Sequence, residues 1–503
     1  MRKILVNTGS NIAVVMVKLV ITFIMTPVFV HNLGNHDYGV WEIMAALIGY
    51  MGLLDMGMKP AISRFAARHL ASDDHRSLQV LYSSAFFFLL LVGVILFAVF
   101  AAWALFWPQL IAEQGSETGK YAIFLAVLGA QLLVVFPGYT AESFLEGFQK
   151  YYLKNNITIV NSIIGAVILY IFIEPGNALV LLAAVNAIGL SVKYVIYTWL
   201  LSRQDFGGFR PRVSAASFSE LKTTIRFGAK SLVQGIASTV ETRTDSIIIG
   251  VFLGPAMVPF YAIPANLISY VRNIGWTLTH AFMPVFSDMH ARQQKQAMQA
   301  LYLNASRYVV ALLLPTCVGI VLIGADFIAV WVGEAYRRDA DMIILLLVLY
   351  MALPFLNPFS TRYLTAIDQH GLLARVYPMS AAINLVASIL LVQHWGIVGV
   401  ALGSVIPVFL LVPIVLRACC RHLDMTVGHY LRHSVWPALL PSALMAAAVH
   451  GFTRFYVPDS YAMLAAAALV GAAVYSLVFY WLGLNPQERG WLHARLGKLA
   501  RRS

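Results

Sequence analysis

Charge is what this chain of 503 residues has least of: Asp, Glu, Lys and Arg make up 12% of it, about half of the roughly 25% usual in a soluble domain. That is too little to solvate a water-facing surface, so an ordinary soluble domain is excluded. Cysteine is as scarce, three in all. Cys317 falls in an apolar run, and Cys419 and Cys420 adjoin in an expected loop, which makes neither a disulfide framework nor a metal site. There is no phosphate-cradling glycine loop, no metal-ligand cluster and no nucleophile–base arrangement. No cofactor and no catalytic centre are therefore expected. Acid is short relative to base, and the formal net charge is +12. In a soluble chain that surplus would suggest nucleic acid. Its distribution here suggests a membrane instead, and no nucleic-acid partner is expected.

Hydrophobic residues make up 60% of the chain. They fall into about fourteen stretches, near 11–30, 40–58, 80–106, 121–145, 157–173, 178–201, 228–252, 257–283, 303–325, 341–364, 377–393, 396–416, 432–452 and 460–482. A helix of roughly 20 residues crosses a hydrocarbon layer of about 30 Å. In lipid each backbone N–H and C=O must be satisfied within the segment, so the spans are helices. The sequence predicts an all-α polytopic membrane protein. The first stretch has no small-residue cleavage site after it and reads as a retained helix.

Lys and Arg alternate between loops. One set holds Arg2, Lys59, Arg64, Arg68, Lys150, Lys154, Arg203, Arg210, Arg292, Arg375, Arg417 and many more, whereas the opposite set holds only Lys120, Arg337, Arg338 and Arg454. The positive-inside rule places both termini in the cytoplasm, which needs an even number of spans. No loop is long enough for a catalytic domain. A turn-rich stretch, Phe206-Gly207-Gly208-Phe209-Arg210-Pro211, cannot continue a helix. It divides the chain into 1–201 (six spans), a cytoplasmic linker 202–227, 228–417 (six spans) and 418–483 (two spans). The tail 484–503, with Trp491, Leu492, Leu496 and Leu499 among Arg495, Lys498, Arg501 and Arg502, reads as an amphipathic helix on an anionic leaflet. The halves repeat. At one constant offset Ile43 matches Ile263, Ala45 Ala265, Leu47 Leu267, Ile48 Ile268, Tyr50 Tyr270, and Leu33-Gly34 matches Leu253-Gly254. The offset spans six helices, so the halves run parallel, and such transporters place their substrate path at the repeat interface.

Leu33-Gly34 with Tyr38-Gly39, then Leu54-Asp55-Met56-Gly57 and Arg64-Phe65-Ala66-Ala67-Arg68, resembles the Wzx-type polysaccharide flippases of the multidrug/oligosaccharidyl-lipid/polysaccharide exporter superfamily. The resemblance continues at Leu145-Glu146-Gly147-Phe148-Gln149, Asn155, Asn161, Asp245-Ser246-Ile247-Ile248-Ile249-Gly250, Leu253-Gly254 and Tyr261. It implies two pseudo-symmetric six-helix lobes around a central cavity plus two C-terminal helices. It implies transfer of undecaprenyl-pyrophosphate-linked oligosaccharides from the cytoplasmic to the periplasmic leaflet of a bacterial inner membrane by alternating access. It also implies a monomer that can work beside a polysaccharide polymerase and a chain-length regulator. A multidrug or other lipid-linked-precursor exporter is the rival within the superfamily, and a polytopic polysaccharide polymerase or glycosyltransferase the rival outside it.

A charge at bilayer depth costs at least about 2.5–3.5 kcal/mol, so each is a functional candidate. The deep cations are Lys18, Lys193, Arg243 and Arg272; the deep acids are Glu42, Asp55, Glu241 and Asp245. The cations either line a cavity and hold pyrophosphate, which Arg binds bidentately and Lys as a point charge, or pair with the acids. Glu241 and Asp245 lie four residues apart on one helical face. Two carboxylates in low dielectric do not both ionise cheaply, which suits proton coupling; pairing with Arg243 is the alternative. Glu42 and Asp55 complete the candidate coupling set, unless Asp55 only caps a helix break. Lys230, Arg307 and Arg362 read as snorkelling cations near helix ends.

Overall fold

The computed structural model describes residues 2–106, 108–110, 118–280, 282–337, 339–490 and 493. The residues on which the amphipathic tail rests, from Trp491 and Leu492 to Arg495, Leu496, Lys498, Leu499, Arg501 and Arg502, lie outside them, as does Arg338. The described residues form helices α1 (Arg2–Met51), α2 (Met58–Ala71), α3 (His75–Phe106), α4 (Thr118–Gly147), α5 (Tyr151–Phe172), α6 (Ala178–Ser202), α7 (Phe218–Leu253) and α8 (Val258–His280). There follow α9 (Met283–Ala291), α10 (Lys295–Trp331), α11 (Ala340–Phe355), α12 (Ser360–Ala366), α13 (His370–His422), α14 (Val427–Tyr430), α15 (Trp436–Phe455) and α16 (Tyr461–Leu482). No strand occurs among the described residues.

Among the described residues, ten helical segments are long and apolar enough to cross a membrane. Two of them, Gly9–Asp55 and Gly371–His422, have 47 and 52 residues, or about 70–78 Å at 1.5 Å per residue. Each is broken by a glycine, at Gly34 (φ 69) and Gly396 (φ 57), into two arms of span length. The long helices α7 and α8, which carry Glu241, Arg243, Asp245 and Arg272, are not among the ten.

Chain packing divides the molecule into two compact units, Met1–Pro259 and Phe260–Ser503. The repeat is written in the backbone of the two sequence halves. Left-handed residues recur at the offset that relates Ile43 to Ile263: Gly34 and Gly254, Asp73 and Gln293, Gly176 and Gly396. Gln149 and Asp368 recur one residue short of it. These are the breaks between successive helical segments. Glycine tolerates positive φ at such breaks.

In the first unit α1 packs along α5 and α7, and α4 lies between α3 and α6. The linker folds back onto this unit. Phe209 is buried, with its ring 5.5 Å from Phe144, 6.0 Å from Phe148 and 6.1 Å from Tyr82. Its backbone is tied down by Gln79 Nε2 donating to the Arg210 carbonyl at 2.6 Å and by Ser217 N–H donating to Ser84 Oγ at 2.8 Å.

In the second unit α10 is the central element, packed against α11, α15 and α16. Phe286, Tyr302, Phe359, Tyr363 and Tyr430 form a fully buried aromatic core around it. Cys419 and Cys420, expected in a loop, are buried in the last turns of α13 against this core. Arg307 does not snorkel to water: its guanidinium is buried and paired with Glu488, beyond the end of α16. The side chain of Lys230 is outside the described residues.

Candidate functional site

The first unit gathers charge at the end where its chain starts. Asn155 Nδ2 on α5 donates to Ser10 Oγ at 2.9 Å and to Asn11 Oδ1 at 2.6 Å, holding the first turns of α1. Beside this clamp, Lys59 Nζ at the start of α2 pairs with Glu142 Oε2 on α4 at 2.8 Å. One turn further along α4, Glu146 Oε1 pairs with Lys154 Nζ on α5 at 2.6 Å. Lys193 on α6 is buried. Its Nζ sits 4.2 Å from the centre of the Tyr194 ring and feels the charges of Glu142, Lys18, Lys59 and Lys154. Lys59 Nζ lies 4.3 Å from the centre of the Tyr139 ring, and Tyr194 O–H donates to Glu142 at 3.4 Å. Four lysines thus meet two glutamates on five helices, and positive charge is left over.

Burial opposes the charge on Lys59, but the Glu142 carboxylate outweighs it and raises the Lys59 pKa. Asp55 is buried close by, and its Oδ1 accepts the Gly57 N–H at 2.7 Å. That bond closes the turn in which Met56 and Gly57 both take positive φ. The turn lets α2 approach α7: a Cβ on Gly228 would lie 2.7 Å from the carbonyls of both Met56 and Gly57.

A second polar seam runs between the second arm of α1 and α7. Tyr50 O–H and Thr244 Oγ1 are hydrogen-bonded. Asp245 is buried next to them, and Glu241, one turn earlier, is half-buried. Arg243 is exposed, with its Nε 3.4 Å from where a Cβ on Gly49 would stand, so glycine there makes room for the guanidinium. Glu42 is half-buried on the same arm of α1. Lys18 is exposed in the first unit and Arg272 half-exposed in the second. Among the described residues no ion pair holds Lys18, Arg243 or Arg272.

The structure therefore brings Lys18 and Lys193 into one cluster, and Arg243 and Asp245 onto one seam with Tyr50. Arg272 belongs to the other unit. Sequence reasoning counts Lys59 and Lys154 as loop cations and does not single out Glu142 or Glu146. The available signal was an acid pair, Glu142 and Glu146, in the last turns of a span whose flanking loops are otherwise basic.

The second unit contributes an apolar feature. A cavity of about 540 Å³ lies between α10, α15 and α16, lined by Leu312, Pro315, Gly319, Met445, Gly471 and Tyr475 among others. Pro315 and the glycines leave it open. Tyr475 O–H donates to the Ala311 carbonyl at 2.6 Å and fixes one wall.

A family model described as polysaccharide biosynthesis protein matches residues 32–340. The chain is 21% identical over 453 residues, 90% of either chain, to the probable low-salt glycan biosynthesis flippase Agl15 of Haloferax volcanii. It is 24% identical over 396 residues, 75% of this chain and 88% of the relative, to a putative O-antigen transporter of Shigella flexneri. Among solved structures, the lipid II flippase MurJ in an inward closed conformation superposes with a TM-score of 0.69 at 14% identity, over 94% of this chain and 98% of that one. An inward-facing multidrug resistance MATE family transporter of the MOP superfamily gives 0.65 at 14% identity, over 82% and 99%. The fold is the one these transporters share.

Proposed function

The chain belongs to the polysaccharide biosynthesis protein family, and on that premise we propose that it is a flippase for lipid-linked oligosaccharides. Its cargo is an undecaprenyl-pyrophosphate-linked repeat unit, moved from the cytoplasmic to the periplasmic leaflet of a bacterial inner membrane. The observation that carries the reading is the cluster in which Lys18, Lys59, Lys154 and Lys193 outnumber the carboxylates described beside them. A pyrophosphate is the anionic part of such a lipid, and clustered ammonium groups that outnumber the carboxylates beside them favour an anion. Within the second unit, the apolar cavity beside α15 and α16 is of a chemistry that accepts an isoprenoid chain. The names of the two relatives support the same class of cargo.

The protein acts as a monomer with fourteen spans, counting both arms of α1 and of α13 and including α7 and α8, with both termini cytoplasmic. Transport proceeds by alternating access. Arg243 and Arg272 are further anion ligands on the path, and Glu241, Asp245, Asp55 and Glu42 are the coupling carboxylates. The test is reconstitution in vesicles with a short-chain lipid-pyrophosphate-sugar and a reporter of its transbilayer movement. The expected result is movement that depends on the protein and falls at least tenfold in the Lys193→Ala and Arg243→Ala variants, since a hydrogen bond to a charged group contributes about 1.5–3 kcal/mol. Movement equal to that of protein-free vesicles overturns the reading.

A further inference from the structure

We propose that Trp276, with Arg362 set against it, is a stacking platform for a sugar ring of the cargo; the proposal rests on the flippase reading above. Helix α8 is polar along one side only. Ser269, Arg272, Asn273, Trp276, Thr277 and His280 fall within an arc of roughly 140° at 3.6 residues per turn, and Val271, Ile274, Gly275 and Leu278 fall on the other side. Asn273, Trp276, Thr277 and His280 are exposed in the second unit. Polar side chains within a span face the bundle or a water-filled space, not lipid. The stripe is therefore the surface of α8 that meets water or a polar ligand.

Trp276 stands out on it, 62% exposed. The Arg362 guanidinium on α12 lies 4.7 Å from the centre of one indole ring, and the His280 ring lies 5.8 Å away, tilted at 62°. The cation fixes the indole, and Arg362 Nη2 is buried there with no hydrogen-bond partner among the described residues. An exposed, oriented indole flanked by hydrogen-bond donors fits a pyranose, which has an apolar C–H face for the ring and hydroxyls for Arg362 and His280. Arg272 is one turn away, about 6 Å along the axis. That is the separation between a diphosphate and the first sugar bonded to it, so diphosphate on Arg272 places that sugar at Trp276.

The experiment measures binding of two probes to the full chain in nanodiscs, farnesyl diphosphate and farnesyl-diphospho-N-acetylglucosamine. Trp276→Leu removes the aromatic face at an exposed position, where little core packing is lost. It is expected to weaken the glycosylated probe about tenfold, equivalent to about 1.4 kcal/mol, and to leave the unglycosylated probe unchanged. Trp276→Tyr is expected to restore part of the difference, and Arg272→Ala to weaken both probes. Equal loss of both probes in Trp276→Leu, or no loss of either, overturns the platform and leaves Trp276 as an interfacial anchor. A parent protein that binds neither probe overturns the flippase reading itself, and the platform with it.

Discussion

Glu142→Gln is the sharpest perturbation of the lysine cluster. The Glu142 side chain is 13% exposed and that of Lys59 34%, so the pair is largely but not wholly out of water. Removing one partner of a fully buried pair costs about 3–5 kcal/mol, because the other charge is left uncompensated. Lys59 keeps some access to solvent, which lowers the expected cost to about 2–3 kcal/mol. The variant also leaves Lys18, Lys154 and Lys193 in a more repulsive field. The assay is the fraction of protein that stays monodisperse after heating in detergent, compared for the parent, Glu142→Gln, Lys59→Gln and the double variant. Each single variant should melt earlier, and the double variant should recover much of the loss. The Lys59 pKa is raised, so the stability from its charge is complete below the ordinary lysine value of 10.5 and is lost as pH rises through the raised value. The gap between parent and Glu142→Gln should therefore hold through neutral pH and close above about pH 10.5. Single variants that melt with the parent, or a double variant whose losses simply add, would refute the idea that these two charges hold the cluster together.

Burial pushes the Glu488 carboxyl up, but the Tyr308 hydroxyl, the Asn485 amide and Arg307 outweigh it and hold its pKa below the ordinary 4.5. Its grip on α10 should be complete above that value and fail as pH falls through the lowered one. Proteolysis of the tail beyond α16 should thus quicken in acid, and at neutral pH in Glu488→Gln; equal cleavage of variant and parent at neutral pH counts against it. Gly228→Val places a side chain where a Cβ already lies 2.7 Å from two backbone carbonyls, and folded yield should collapse. Gly119→Ala, with nothing within 4 Å, serves as the control and should be silent. Because Cys317, Cys419 and Cys420 are all buried, an added cysteine at the exposed linker residue Val213 should react with a membrane-impermeant thiol reagent only from the cytoplasmic side. Labelling from the periplasm would invert the topology.

Apolar runs made the helices legible from sequence, because lipid leaves the backbone no other solution. Gly34 and Gly254 made the repeat legible, since a break between two long helices selects glycine and leaves a mark at a fixed offset. The charge cluster was not legible in the same way. Lys59 and Lys154 sit in the first turns of α2 and α5, stretches that the positive-inside rule reads from the sequence as loop, yet their long stems carry the ammonium in among the helices. Their partners, Glu142 and Glu146, lie on a different helix, and linear spacing does not reveal such a pairing. Arg362 and Trp276 were hidden for a related reason: an arginine near a helix end and an isolated tryptophan each have an ordinary interfacial reading, and linear sequence does not reveal that the two meet. A basic residue at a span boundary can therefore serve two purposes, orienting the chain during insertion and charging a site afterwards. What separates the two is a carboxylate or an aromatic face within reach on another helix. In this chain that criterion selects Lys59, Lys154 and Arg362, and equally Lys120 beside Asp37 and Arg64 beside Phe227. Among the described residues no ion pair holds Lys18, Arg243 or Arg272, which is the state expected of a cation kept ready for an anion that arrives from outside the protein.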